Sequence, residues 1–532
     1  MKRLLSLLLA VLFLASALVG CGNKPSAADE KTFVIGLDSD IIRLDPALAY
    51  DFTTNPVVNQ ITQGLLVFDE ENQLQPLLAS SWEQVDDLTY VYQIRDDVTF
   101  SDGTPMTMDD VIYSLERHRD ENVNSYLGWM FDSVKTIEAT GDWELTVTLS
   151  KPDANWQYVP ATTAGHVVEK AFAEEAGDKF GDAETGLVGT GPYVFESWKS
   201  GSEVVLAKNE AYWNTEDAGY FEKLIFKVVP DDTTRVTALK TGDLDCILPT
   251  PAAQMDILDS DETITHVTSP GFGVTFLAFN TQKEPFNNAA VRHAIEMAID
   301  FDSIQTGLVK QAGDASTALP SSTALFTIEP ERWTTYLENA PKHNFDVEGA
   351  KALLAEAGYP EGFTCDLMVN EDGLRNDIAL VINQNLAAIG ITANIVKVSG
   401  DEHTRYQFGD AETLDENGLR GYDMIMAGWE ADFPDPAGNL QPLYQGGNSY
   451  NSADYNNAAV NELIAQQATE SDPTVRNDLL FQAMDIVVED MPYLFLFYPV
   501  KGIAINKEYT GVSMNASWIW NIHFQGVHPV AE

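Results

Sequence analysis

The chain has 532 residues, 45% of them hydrophobic, enough for two or three compact units with sizeable cores rather than one. Its 81 acidic side chains against 31 basic ones leave a formal charge of −50, so the surface repels phosphate backbones and no nucleic-acid partner is expected. The acidic residues are scattered rather than blocked, as on a solvated surface, and together they favour cationic ligands over anionic ones.

Residues 1–20 place Lys2 and Arg3 before an apolar run and a small-residue stretch, the pattern of a secretory signal peptide rather than a mature membrane span. The run ends in Leu18, Val19, Gly20 and Cys21, which resembles the lipobox of bacterial lipoproteins, whose cysteine is lipidated and becomes the mature N-terminus. Cys21 is therefore expected to carry a lipid, and the small polar segment 21–31 to be a flexible tether.

The apolar run 33–37 predicts a strand, followed by LDPALAYDFTTN with turn residues Asp45 and Pro46. A helical pattern runs through Val57, Ile61 and Leu65. Residues 67–186 read as a self-contained unit. Tyr90, Tyr92 and Ile94 alternate with polar partners, as do Leu145, Val147 and Leu149, the pattern of half-buried strands. Thr107 with Asp110 three positions on resembles a capping box, opening a helix that carries Val111, Ile112 and Leu115. GTGPY, 189–193, lacks the third glycine of a dinucleotide loop and has Pro192 where a helix would begin, so it predicts a tight turn, followed by strands around Val194 and from Val204 to Leu206. Residues 231–248 predict a capped helix ended by Gly242 and then an apolar strand. SPGFG, 269–273, precedes the apolar run 274–279 and suits a crossing between lobes, where hinge residues must absorb dihedral changes. A second α/β unit follows. Val291, Ile295, Ala298 and Ile299 line one helix, and Ala350, Leu353, Leu354 and Ala357 another that stops at Gly358. A strand at 363–369, a helix through Ile378 to Ile389 and a strand at 391–398 continue the alternation. Cys246 and Cys365 lie in apolar stretches and read as small core hydrophobes, with a disulfide between them left open.

The stretch YDMIMAGWEADFPDP, 422–436, is the site candidate. Its apolar half, 422–427, predicts a buried strand, and from Gly428 a loop carrying Trp429, Glu430, Asp432 and Asp435. In open α/β sheets ligands sit beyond the carboxyl ends of strands. Helices at 458–468 and 474–489 and a strand at 494–498 complete the chain. There is no HExxH, GxSxG, CxxC or P-loop, and no two histidines stand at i, i+4. No catalytic residue, metal site or cofactor is expected, and a secreted hydrolase is the disfavoured alternative.

Five runs in order resemble the peptide/nickel-type, family 5 extracellular solute-binding proteins that serve ABC importers: FSDGTPMTMDDVIYSLER from Phe100, GTGPYVFESWKSG from Gly189, FLAFNTQKEPFNNAAVRHAIEMAID from Phe276, NQNLAAIGI from Asn383, and YDMIMAGWEADFPDP. The resemblance implies an α/β, two-lobed fold of the type II periplasmic-binding-protein kind with an extra α+β domain inserted in the first lobe. Lobe I would comprise 32–66, 187–270 and 496–532, the extra domain 67–186, and lobe II 271–495. It implies a ligand held as an extended short peptide between closing lobes, with its α-ammonium on Asp432. Trp429, Glu430 and Ala431 would line the same edge, Tyr50, Asp51 and Phe52 would contribute opposing contacts, and Tyr126 would wall the pocket. The implied partners are a short peptide, the permease and ATPase subunits of an importer, and the membrane through the lipid on Cys21. The protein is expected as a monomer on the outer face of the bacterial cytoplasmic membrane or in the periplasm. Relatives that take nickel complexes, oligosaccharides, opines or glutathione make a non-peptide ligand the alternative.

Overall fold

The computed structural model describes residues 31–320 and 329–531; the leader, Cys21 and most of the 21–31 tether lie outside the described residues. One strand, Tyr493–Asn506, belongs to both lobes. Its first half pairs antiparallel with Gly273–Phe279 in lobe II, and its second half with Ile264–Pro270 and Cys246–Ile247 in lobe I. The expected boundary between 495 and 496 falls inside this strand. The chain crosses a second time at Gly271 and Phe272, between the two strands that flank it. Two adjacent crossings leave a bend about their middle as the easy relative motion of the lobes.

In lobe I the strand Thr32–Leu37 buries Phe33, Ile35 and Leu37 and runs parallel to both Lys223–Val228 and Cys246–Ile247. The intervening helix, Asp232–Thr241, starts where the Asp231 carboxylate accepts from the Thr234 amide and ends at Gly242 with φ of +79°. This is the capped helix, ended by Gly242 and followed by an apolar strand, that the sequence predicts. Lobe II sets Thr392–Lys397, Thr364–Val369, Met424–Glu430 and Gly273–Phe279 side by side, the first three mutually parallel. Its helices Ala289–Ala298, Val347–Glu356 and Gly373–Ala387 bury most of the apolar positions that their spacing marks, with Leu353 and Ala357 only partly covered. Between Leu65 and Val167 a third core forms around the antiparallel sheet Ala79–Asp86, Thr89–Ile94, Glu144–Leu149, Val134–Ala139 and the helix Met108–Glu116, whose capping box of Thr107 and Asp110 is made in full.

Two expectations shift. The helix predicted through Leu65 ends at Ile61, because Thr62 is extended and the Leu65 carbonyl accepts from the Ala79 amide instead. The strand expected at 422–427 is Met424–Glu430, so Gly428 is strand rather than loop. Its ladder with Gly273–Phe279 continues until Glu430 faces Gly273. Cys246 and Cys365 are both buried and free.

Candidate functional site

Asp432 is the first polar residue after the Met424–Glu430 strand leaves the sheet, and it meets lobe I twice. Its Oδ1 accepts a 2.7 Å hydrogen bond from the Tyr50 hydroxyl, and its carbonyl accepts one of 2.7 Å from the Trp520 indole N–H. Tyr50 and Trp520 stack on each other at 6.1 Å and 12°. A side of Asp432 still reaches water, but protein packs closely round the carboxyl. Burial pushes its pKa up to about 7, against the pull of the Tyr50 hydroxyl, and neighbouring Glu430 adds to the rise.

Glu430 points toward the crossing at Gly271 and Phe272. Burial raises its carboxyl, while Lys501 and the Phe272 amide hold it back. A Cβ on Gly271 would stand 2.8 Å from its Oε1, and one on Gly273 would collide with its Oε2. Glycine at both positions lets this carboxylate lie flat on the crossing. Lys501 also reaches Phe52, its Nζ 4.9 Å from the ring centroid.

The remaining sequence-predicted residues divide. Trp429 turns into lobe II, donating its indole N–H to the Gly438 carbonyl at 2.8 Å and packing 5.0 Å from Tyr450. Ala431 is buried in the lobe II core. Asp51 directs Oδ1 at the Thr53 and Thr54 amides, 2.9 and 2.7 Å, and so shapes its own loop. Tyr126 is half exposed, its amide bonded to the Ala47 carbonyl at 3.0 Å.

Sequence reasoning missed three contributors. Trp520 comes from the C-terminal segment, where nothing in SWIWN marks it. Phe433 lies in the quoted stretch, but its ring leaves lobe II altogether, 5.9 Å from Tyr158 and 6.1 Å from Trp129. Arg375 stands in the first turn of the Gly373–Ala387 helix, where the macrodipole disfavours a cation, and that oddity was legible. A Cβ on Gly428 would be 2.8 Å from its guanidinium. Burial lowers its pKa, and among the described residues no hydrogen bond or ion pair is made by that guanidinium. Asp435 is no ligand group. It is fully buried and paired with Arg476 through two 2.7 Å bonds, which fix the loop that carries Asp432.

Comparison with known proteins follows the same lines. Residues 73–451 match the family model described as bacterial extracellular solute-binding proteins, family 5 Middle. The chain is similar to the glutathione-binding protein GsiB of Escherichia coli (strain K12), 27% identical over 488 residues, which are 90% of this chain and 91% of that protein. It is similar to the structure of the periplasmic binding protein DppA from Helicobacter pylori in complex with the peptide STSA, with 26% identity, a TM-score of 0.75 and coverage of 95% and 100% of the two chains. Similar too is AgaA from A. tumefaciens R10 in complex with agropinic acid, 25% identical with a TM-score of 0.72, covering 94% of this chain and 99% of the other.

Proposed function

Since the chain belongs to family 5 of the bacterial extracellular solute-binding proteins, the substrate-binding components of ABC importers, we propose that it captures short peptides with a free amino terminus and passes them to its permease. The observation that carries this reading is Asp432, a carboxylate between two lobes whose present partner, the Tyr50 hydroxyl, is neutral. An ammonium in that place supplies the positive charge that a desolvated carboxylate lacks. Arg375 offers the complementary cation for a ligand carboxylate, since its guanidinium is partly desolvated, feels only the nearby charge of Asp372 and makes no ion pair among the described residues. Closure between the lobes then removes water from both ends of the ligand.

Glutathione is a second reading within this chemistry. The E. coli relative is named for binding it, and it carries both a free amine and carboxylates. The opine reading has the agropinic acid complex behind it. Division into lobe I (32–66, 187–270, 496–532), an extra domain (67–186) and lobe II (271–495) has in its favour that the buried clusters fall mainly within it, two in lobe I, two in lobe II and one in the extra domain. Anchoring through a lipid on Cys21 rests on the lipobox alone. Among the described residues no helix is long and apolar enough to cross a membrane.

Titration calorimetry with trialanine, N-acetyl-trialanine and reduced glutathione tests the proposal. Tight binding of a free-amine ligand, with the acetylated peptide weaker by about 2 to 5 kcal/mol, is expected from the orphaned carboxylate. Equal affinity for the free and acetylated peptides removes the role of Asp432.

A further inference from the structure

Seven aromatic side chains are exposed among the described residues, and four of them, Tyr50, Tyr126, Trp129 and Tyr450, gather round Asp432. Tyr50 donates its hydroxyl to that carboxylate. The Trp129 ring lies 6.1 Å from the ring of Phe433, the next residue in the chain, and tilts 53° to it. Tyr126 precedes Trp129 by three positions, and its amide bonds the Ala47 carbonyl, three positions before Tyr50. Tyr450 packs on Trp429, three positions before Asp432. Protein packed closely round the Tyr50 phenol and the charge of Asp432 raise its pKa, and Tyr450 adds to the rise, so the two phenols lie within electrostatic reach of each other.

Three separate stretches of chain thus bring rings that are 40 to 51% exposed to the surroundings of one carboxylate. Large apolar faces left in water together mark a contact surface. Tyr and Trp offer such faces with few rotatable bonds, so covering them costs little order. A ligand ammonium on Asp432 brings the side chain of the ligand's first residue next to these rings. An acidic side chain there is repelled by Asp432 and Glu430, which already act on one another. A cationic one over half-exposed rings gains about 2- to 5-fold in affinity. An aromatic or large aliphatic one, covered by them, gains about 10- to 100-fold, so the apolar class prevails.

We propose that Tyr50, Tyr126, Trp129 and Tyr450 select peptides whose first residue is aromatic or large and aliphatic. The inference rests on the reading that Asp432 holds the ligand's ammonium, and it narrows that reading from any free-amine peptide to one class.

Titration calorimetry with Phe-Ala-Ala, Ala-Ala-Ala and Lys-Ala-Ala tests it. Phe-Ala-Ala is expected to bind about 10- to 100-fold tighter than Ala-Ala-Ala, and Lys-Ala-Ala to stay within about 5-fold of Ala-Ala-Ala. Trp129→Ala and Tyr450→Ala, on different stretches of chain, are each expected to shrink the preference for Phe-Ala-Ala by about 2- to 10-fold. Phe345→Ala, which removes an exposed ring just before the helix Val347–Glu356, is expected to keep the wild-type ratio. The peptide series on wild type decides the matter should either variant not fold. Equal affinity for Phe-Ala-Ala and Ala-Ala-Ala, tighter binding of Lys-Ala-Ala than of Phe-Ala-Ala, or a preference unchanged in both alanine variants overturns the selection and leaves the amine reading standing. Failure of all three peptides to bind overturns the amine reading, and this inference with it.

Discussion

Acidity should weaken the capture of an amine, and the size of the effect follows from one group. Burial pushes the Asp432 carboxyl up to about 7, and it must be ionised to hold an ammonium. Apparent Kd then grows as 1 + 10^(7 − pH), by about 2-fold at pH 7, about 11-fold at pH 6 and about 100-fold at pH 5, or about 2.7 kcal/mol at the acid end. Calorimetry with trialanine from pH 5 to 8 reads this directly. Asp432→Asn should bind more weakly at pH 8 by about 2 to 5 kcal/mol and should show almost no slope. Tyr50→Phe removes the hydroxyl that pulls the Asp432 pKa down, so its curve should turn at a higher pH than wild type. A wild-type affinity that is flat from pH 5 to 8 refutes the reasoning, because it requires that the carboxyl be ionised throughout or take no part.

Three further outcomes concern the body that holds this loop. Arg476→Leu strands the fully buried Asp435 and should cost about 3 to 5 kcal/mol in urea unfolding, whereas joint replacement by a matched apolar pair should cost much less; equal losses would contradict a buried ion pair. Gly273→Ala drives a methyl into the Glu430 carboxylate at the crossing and should destabilise by about 1 to 3 kcal/mol. Adding Glu430→Ala should restore part of that, and no recovery in the double variant would place the strain elsewhere. Burial holds His118 and His166 down to about 3 and His523 to about 4, so all three stay neutral in the folded protein while the unfolded chain takes up protons below about pH 6.5. Their contribution to stability is full above that pH and is lost as pH falls toward 4; the urea midpoint should drop over this window. A midpoint constant from pH 7 to 4.5 would mean that these rings are charged in the fold.

Local patterns were enough for the alternating elements. Period-two runs such as Leu145, Val147 and Leu149, the capping residues Thr107 and Asp231, and the stop at Gly242 all act within one turn or one pleat, so they can be read from neighbours along the chain. The loop after the Met424–Glu430 strand was legible for the same reason, since an apolar run gives way abruptly to charge and proline. Where that strand ends was not. Its last residues are held by the ladder to Gly273, which is more than 150 positions away.

Tertiary structure alone decided which residues face Asp432 and which only look as if they should. Tyr50 is brought to that carboxylate and Trp520 to the backbone carbonyl of the same residue, from opposite ends of the sequence, and Phe433 leaves its own lobe for an aromatic slot in another. Asp435 looks like a ligand group and is instead the buried partner of Arg476. The physical reason is the same throughout. A cleft between lobes is made of contacts with no local periodicity, and the pKa of a carboxyl within it depends on how much water the opposing lobe excludes, which the residues beside it in the chain do not set.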